Sequence, residues 1–275
     1  MKQLKARVGD TCLWRLRLLF EREQGVIVVV FNASFLSSGS TEKVASSRCF
    51  LCALAVAALV CGLAFVVGFV LLLGPLSLYV KNSLDADFAL RFLQQHSTWL
   101  YLWNFTIYVV FGIALVFFCI ALYLQSGCRH SMLPMVMLCF GCIWATHAIA
   151  AGMLANVGLA RVLALAEIDA SIAASVWLNN YTIKLGLGGS NEIIGGLWLV
   201  VASLSGRSKG VLGARLGGYG VLVGVCGCST VIPVWQEMGA VFGLGVIGWF
   251  FCLSALAAQR VANDSDEPPH SAGAA

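Results

Sequence analysis

The residues best suited to chemistry in this sequence are ionisable side chains that lie in or beside long uncharged segments. His147 lies well inside the segment 131–160, and Glu192 lies near one end of the segment 185–206. If lipid surrounds those segments, such residues are expected to face the interior of a helix bundle or a water-filled cavity. A neutral imidazole could bind a proton, a ligand or a metal ion there. A carboxylate beside Gly195 and Gly196 could bind a cation or relay protons.

Each of these residues also has a purely structural interpretation. His147 can hydrogen-bond a neighbouring helix, which stabilises bundles in lipid. Glu192 can lie in the first turn of a helix that Ser190 caps, where a negative charge favours the helix dipole. Asn104, and Asn179 with Asn180, are expected to satisfy hydrogen bonds between helices. The sequence favours these structural roles, and it leaves a polar interior formed by His147, Glu192 and Asn104 as an alternative.

Metal, redox and familiar enzyme chemistry find little support in the residue pattern. The chain has 11 cysteines, but most lie inside apolar segments, where free Cys behaves as a small hydrophobic residue. Cys49 with Cys52, and Cys139 with Cys142, have C-x-x-C spacing, but neither pair is accompanied by the further ligands that a zinc site needs. The sequence contains no phosphate-binding loop, nucleophile elbow or zinc-protease motif. We therefore predict no metal, no cofactor and no catalytic residue.

Composition places the chain in a membrane rather than in water. Of its residues, 60% are hydrophobic and only 11% are charged, whereas a soluble domain has about 25% charged residues. The charges cluster between long uncharged segments, so they cannot cover a soluble surface. The net charge of +4 comes from Lys and Arg that flank apolar segments, which is typical of membrane topology and not of nucleic-acid binding. The predicted partner is the lipid bilayer.

Segments of about 20 apolar residues are long enough to cross a bilayer as helices. This criterion predicts an all-α, polytopic transmembrane bundle with six spans and both termini in the cytoplasm. The predicted spans are residues 49–80, 99–124, 131–160, 185–206, 216–235 and 238–259. Only a short turn separates the last two spans, which are therefore expected to form an antiparallel hairpin.

The segment 161–184 has three interpretations: a helix at the membrane surface, an extension of the third span, or a seventh span. Apolar residues recur along it at helical spacing, namely Val162, Leu165, Ile168, Ile172 and Val176. With six spans, thirteen Lys and Arg lie on the cytoplasmic side and four lie outside. A seventh span would leave ten inside and seven outside. The positive-inside rule therefore favours six spans.

The two ends of the chain are predicted to differ from the bundle. Residues 1–48 combine basic, β-branched and Ser-rich stretches. We expect them to form a poorly ordered cytoplasmic extension, and a start site assigned too early is an alternative. Residues 261–275 are acidic and contain Pro and many small residues, which is typical of a disordered cytoplasmic tail.

Glycines form a smooth stripe along the predicted fifth span. Their spacing of three or four residues places them on one face of a helix, and small faces let helix backbones touch in lipid. Contact within the last hairpin is the simplest expectation, and a homo-oligomer formed through the stripe is an alternative. The stripe consists of Gly213, Gly217, Gly220, Gly224 and Gly227, and Gly239 and Gly243 begin a matching face on the sixth span.

Four stretches resemble a family of uncharacterised bacterial multi-pass membrane proteins. They are LWNFTIYVVFG at 102–112, NEIIGGLWLVVA at 191–202, LGGYGVLVG at 216–224 and FGLGVIGWF at 242–250. The resemblance covers roughly residues 50–260. It implies six spans in a bacterial cytoplasmic membrane and implies no activity and no site residues. Residues 1–48 depart from the family's pattern.

These features together predict an integral membrane protein that acts as a structural or regulatory component alongside other membrane proteins. A small transporter or channel with a polar path near His147 and Glu192 is the alternative. A membrane-embedded enzyme that acts on lipid has the least support, because no pair of nucleophile and base is evident.

Overall fold

The computed structural model describes residues 40–81, 85–126, 131–189 and 192–266. Within these ranges the chain is helical and forms no strand, so the all-α prediction is confirmed for them. The chain divides into two compact units, Met1–Lys43 and Val44–Ala275. Most of the first unit, and with it most of the predicted N-terminal extension, lies outside the described residues.

The described ranges contain nine α-helices. They are α1 (Ser40–Leu73), α2 (Ser77–Lys81), α3 (Ala86–Asn104), α4 (Phe111–Gln125), α5 (Met132–Ala166), α6 (Ala170–Lys184), α7 (Ile193–Ser208), α8 (Ala214–Ser229) and α9 (Met238–Asp266). A π-helical turn at Phe105–Val110 joins α3 to α4, and a second one at Leu185–Gly189 follows α6. A short 3-10 turn at Pro233–Trp235 lies between α8 and α9.

Four stretches within the described ranges are long and apolar enough to cross a membrane. They are Arg48–Leu73, Asp87–Gln125, Met132–Ala166 and Met238–Asn263. Large apolar side chains on these helices, such as Val56, Val70 and Phe117, are more than 60% exposed. Water penalises such exposure, whereas hydrocarbon does not. These features identify a membrane protein.

The fourth and fifth predicted spans correspond to shorter helices. Helices α7 and α8 contain 16 residues each, which gives each a length of about 24 Å. The hydrocarbon core of a bilayer is about 30 Å thick. Both helices overlap their predicted spans, but α7 begins at Ile193 and not at residue 185, and α8 ends at Ser229 and not at residue 235. Neither helix alone matches the full thickness of a typical membrane.

The first two predicted spans need corrected boundaries. The first span was predicted to continue to residue 80, but α1 ends at Leu73 and α2 starts at Ser77. The helix is interrupted there because Pro75 has no N–H and its ring would clash with the preceding turn of a continuing helix. The second span was predicted to start at residue 99, and α3 is kinked close to that point, at His96, whose φ is −126° and ψ 21°. A helical segment precedes the kink and starts at Ala86, where the carboxylate of Asp85 accepts a hydrogen bond from the N–H of Phe88 at 3.1 Å.

Both ends of the bundle are more helical than predicted. Residues 1–48 were predicted to form a poorly ordered extension, but α1 begins at Ser40. The disordered tail was predicted from residue 261, but α9 continues to Asp266. Alanines near this end, such as Ala257 and Ala258, are strong helix formers. Residues 267–275 of the predicted tail lie outside the described part of the chain.

Helix α6 turns back along the C-terminal half of α5. Asp169 ends the short connection, and its carboxylate accepts hydrogen bonds from the N–H groups of Ser171 at 2.8 Å and Ile172 at 3.2 Å. The predicted apolar stripe packs only in part. Val162 is fully buried, and Leu165 and Val176 pack against the same core cluster. Ile168 is 82% exposed and Ile172 is 50% exposed, whereas Ala173 beside them is fully buried. The short connection sets the rotation of α6, and the small side chain of Ala173 allows a close approach to α5.

The glycine stripe of α8 packs mainly against α7 and only partly against α9. A Cβ atom on Gly196 of α7 would lie 2.6 Å from the carbonyl oxygen of Gly224, and a Cβ atom on Gly227 would lie 2.9 Å from Cα of Gly196. Gly220 borders Ser203 of α7 and also Trp249 of α9. The prediction of contact within the last hairpin is therefore incomplete, since α7 supplies the backbone that touches the stripe.

The two ends of the predicted glycine stripe differ from its centre. A Cβ atom on Gly213 would meet nothing within 4 Å, because this residue precedes α8. Gly217 borders the side chain of Arg207. On α9, Gly243 packs against the ring of Phe69 from α1. The small face of α9 therefore contacts α1 as well as α8.

Candidate functional site

His147 and Glu192 line the same cavity. It lies among all four long helices and contains about 180 Å³ of space for water-sized molecules. Six of the residues that line the cavity are aromatic, namely Phe65, Phe69, Trp103, Tyr108, Phe111 and Trp144. We call it the Glu192 cavity. Two residues that the sequence singles out separately are thus brought together by the packing of distant segments.

Glu192 is held in place by its backbone. Its N–H donates to Oγ1 of Thr230 at 3.0 Å, and the Thr230 hydroxyl donates to the carbonyl oxygen of Gly227 at 2.7 Å. Its own carbonyl oxygen accepts from the N–H of Gly196 at 2.7 Å. Glu192 precedes α7 and makes no side-chain cap, in contrast to the predicted place in the first turn. The carboxylate is therefore available to the cavity.

His147 lies on α5 with one ring nitrogen committed to its own helix. Its Nδ1 lies 2.9 Å from the carbonyl oxygen of Ile143. A carbonyl oxygen can only accept, so Nδ1 carries the proton in the neutral ring and Nε2 carries a lone pair. Nε2 can accept a proton or a hydrogen bond from a ligand in the cavity.

Two groups of edge-to-face ring contacts lie in the lining of the Glu192 cavity. The ring centroid of Phe111 lies 4.9 Å from that of Phe65 and 5.0 Å from that of Trp144. The centroids of Trp103 and Tyr108 are 5.9 Å apart. Edge-to-face packing of this kind holds rings in defined orientations. Ring faces near a carboxylate form an environment that suits an organic cation.

Both π-helical turns of the described chain border this cavity. The turn Phe105–Val110 contributes Ile107 and Tyr108, and the turn Leu185–Gly189 contributes Leu187. A π turn changes which side chains face inward, and such turns occur often at functional sites. The local departure from the α-helix thus shapes the lining.

Small residues of α9 complete the lining. A Cβ atom on Gly243 would lie 3.0 Å from the ring of Phe69, and one on Gly239 would lie 3.8 Å from Cγ of Glu192. Both glycines were predicted from the sequence to serve helix packing. In the structure both also line the Glu192 cavity.

A second, smaller cavity lies on the other side of Trp103. It contains about 20 Å³ of space for water-sized molecules, and Trp103 lines both cavities. Asn104 is buried and lines this second cavity. The three residues predicted as one polar interior are therefore divided between two neighbouring cavities. Asn180 lines the second cavity too. We call it the Lys184 cavity.

Lys184 is a site residue that the sequence does not single out. In the sequence, Lys184 contributes only to the number of Lys and Arg residues on the outer side. Its side chain is 8% exposed, and its Nζ lies 5.6 Å from the ring centroid of Trp103 and 5.2 Å from that of Tyr181. No carboxylate of the described residues pairs with it. The signal was the spacing of Trp177, Tyr181 and Lys184, which puts all three on one face of α6.

Metal-ligand types are not gathered into a site in the described part of the chain. No group of three or more His, Cys, Asp or Glu side chains there could hold a metal ion. Cys52 and Cys139 are exposed free cysteines, Cys142 is a partly buried one, and Cys49 is exposed. The chemistry available at the site is therefore that of Glu192, His147 and the aromatic rings.

Comparison with protein-family models, curated proteins and solved structures finds no match to this chain.

Proposed function

We propose that this protein binds a small organic cation in the Glu192 cavity and transports it across the membrane in exchange for protons. The observation that carries this proposal is the shared cavity of His147 and Glu192 among the four long helices. It favours the transporter alternative over the structural or regulatory component that the sequence favours by itself.

The ligand class follows from the lining of the Glu192 cavity. A carboxylate attracts an ammonium group, and aromatic faces attract it further through their quadrupoles. The apolar surface of Phe65, Phe69 and Phe111 suits alkyl substituents on the nitrogen. A strongly hydrated metal ion would find one carboxylate and few other oxygen ligands in this lining. A substituted amine or quaternary ammonium ion is therefore the proposed ligand.

Exchange with protons follows from the two ionisable groups. An ionised Glu192 attracts the cation, and a proton on Glu192 removes that attraction and releases it. His147 offers Nε2 as a second place for a proton in the same cavity. Ionisable residues inside membrane bundles commonly serve such relays. Because a proton and the organic cation occupy the cavity in turn, the movement of one across the membrane is coupled to the movement of the other.

We further propose six passes in a bacterial cytoplasmic membrane with both termini inside. The support is the asymmetry of thirteen inner against four outer Lys and Arg. The 16-residue helices α7 and α8 can cross where the bilayer thins around them. In this topology the end of α1 and the start of α9, which both line the Glu192 cavity, lie toward the outer side.

Choline and its neutral carbon isostere, 3,3-dimethylbutan-1-ol, test this proposal because they differ mainly in charge. The purified full chain in detergent should bind choline and not the isostere in a titration followed by tryptophan fluorescence. Glu192→Gln should weaken choline binding at least about tenfold, because it removes the charge while keeping the shape. Glu237→Gln is the matched control, since Glu237 is exposed in the turn before α9.

Transport is tested on the same variants in proteoliposomes. A pH gradient should drive choline flux in the parent and in Glu237→Gln but not in Glu192→Gln. His147→Asn keeps an N–H for the Ile143 carbonyl, so it should bind choline but lose the response to the gradient. Equal binding of choline and isostere, or no flux in the parent, would contradict the proposal. Loss of folding stability in both site variants together with no parental flux would favour a packing role.

A further inference from the structure

The Lys184 cavity contains a buried cation without a described counter-charge. We propose that it is a binding site for a single halide ion, held by the ammonium group of Lys184 and the indole N–H of Trp177. This site is separate from the Glu192 cavity and does not depend on the proposed transport of an organic cation.

Two residues that line this cavity have side-chain donors for which no described carboxylate serves as acceptor. Lys184 and Trp177 are each 8% exposed, and both line the cavity. Nε1 of Trp177 is buried and has no hydrogen-bond partner among the described atoms. Seven residues separate the two on α6, so they lie on one face of the helix. Lys and Trp donate hydrogen bonds and cannot accept them, so both require an acceptor.

The remaining polar lining is compatible with an anion. Asn104 and Asn180 line the cavity, and each side-chain amide can donate two hydrogen bonds. No described carboxylate lines the cavity. The faces of Trp103 and Tyr181 near Lys184 offset part of its charge, but cation–π contacts do not replace the acceptors lost on leaving water. An anion would supply both the acceptor and the opposite charge.

The size of the cavity restricts the class of anion. The space of about 20 Å³ holds little more than one water-sized particle, since one water needs about 10–15 Å³ by this measure. A sulfate, a phosphate or a lipid headgroup is too large for it. A water molecule would fit but would leave the buried charge uncompensated. A single-atom anion such as chloride or bromide meets the requirements of both size and charge.

The test is the thermal unfolding midpoint of the purified full chain in nonionic detergent. Sodium chloride or bromide replaces sodium gluconate at constant ionic strength, because a ligand that binds only the folded state raises the midpoint in a saturable way. The parent and Arg161→Gln, in which an exposed cation is removed, should both show this rise. Lys184→Met keeps the unbranched shape and most of the length of the side chain without its charge, and it should show no saturable rise.

Trp177→Phe keeps an aromatic ring but lacks the indole N–H. It should still respond to chloride, with an affinity roughly tenfold lower, because a hydrogen bond to a charged group is lost. This variant keeps the proposal testable if Lys184→Met does not fold. The proposal is overturned if the unfolding midpoint of the unsubstituted protein is the same in chloride and in gluconate, or if sulfate raises this midpoint as much as chloride does. It is also overturned if chloride stabilises Lys184→Met as strongly as the parent, or if Trp177→Phe retains the parental affinity.

Discussion

Trp103 is the residue that separates the two cavities. Its indole N–H donates to the carbonyl oxygen of Gly68 at 3.1 Å, which ties α3 to α1. The same side chain lines the Glu192 cavity and lies near Nζ of Lys184. A carboxylate and an ammonium group therefore lie on different sides of one aromatic wall. Each has aromatic neighbours in place of an oppositely charged partner among the described residues, and each is thus suited to bind a ligand.

Asp169 provides a pH-dependent contact outside the four membrane-spanning stretches. Hydrogen bonds from the Ser171 hydroxyl and from the backbone N–H groups of Ile172 and Ser171 hold the pKa of Asp169 below its ordinary value. Because the pKa of Asp169 is lower in the folded state, the ionised carboxylate stabilises α6 in full at pH values above the pKa of the unfolded chain, which is about 3.9. The stabilisation is lost as the pH falls through the folded-state pKa.

We expect hydrogen exchange of the first turn of α6 to report this loss. In the unsubstituted protein, the protection factors of these amides, corrected for intrinsic exchange, should fall severalfold as the pH drops below about 4. The reason is that a protonated Asp169 carboxyl is a weaker cap than the carboxylate. Asp169→Asn keeps a capping oxygen but cannot titrate, so its protection should not change with pH. Asp169→Ala should be weakly protected at every pH. Asp85→Asn, at the cap of α3, is the control and should leave the pH response of α6 unchanged.

At the level of elements, the contact between α7 and α8 determines where Glu192 lies. The backbones of Gly196 and Gly224 approach closely enough that no side chain fits between them. The hydrogen bond from Glu192 to Thr230 joins the start of α7 to the end of α8. The two contacts are neighbours, so the close packing of α7 on α8 supports the position of the Glu192 backbone.

Gly196→Ala should destabilise the bundle by about 1–3 kcal/mol, the usual cost of overpacking. The new Cβ would clash with backbone atoms of Gly224 and Gly227, which cannot move without shifting the whole helix. Gly218→Ala on α8 is the matched control, since its Cβ would meet nothing within 4 Å and alanine favours helix. Thermal unfolding in detergent compares the two. Equal midpoints would contradict close packing of α7 on α8.

For the whole molecule, the question is how the helices are arranged across the bilayer. The turn between α7 and α8 contains Gly210, whose φ of 68° suits glycine. The turn between α8 and α9 contains Val234, which is 84% exposed. The proposed six-pass topology places the first turn in the cytoplasm and the second outside. The two turns therefore discriminate between topologies.

An epitope inserted after Lys209 should be inaccessible to antibody in intact spheroplasts and become accessible after permeabilisation. One inserted after Val234 should be accessible in both states. Exposed turns tolerate insertions of this kind, and ligand binding or thermal unfolding verifies that each insertion variant is folded. Labelling of the Lys209 insertion from outside would overturn the six-pass arrangement. Labelling of neither turn would contradict the outer position of Val234.

Several properties could be predicted from the sequence alone, because they depend on composition and on spacing within one segment. The membrane environment follows from long apolar segments such as those around Val56 and Phe117, and His147 and Glu192 are recognisable because charge is rare there. Local spacing also places Gly220 and Gly224 on one helical face. Boundaries are less well predicted, since Pro75 ends α1 well before the apolar segment ends.

Tertiary structure alone decided which of these residues meet. The sharing of one cavity by His147 and Glu192, the packing of α8 on α7, and the burial of Lys184 beside Trp103 all join segments far apart in the chain. Such contacts depend on how each helix is rotated about its axis and which neighbour it packs against. The pattern of residues within one helix shows which face is suited to packing but not which helix it packs against, so the two cavities form only once the bundle is assembled.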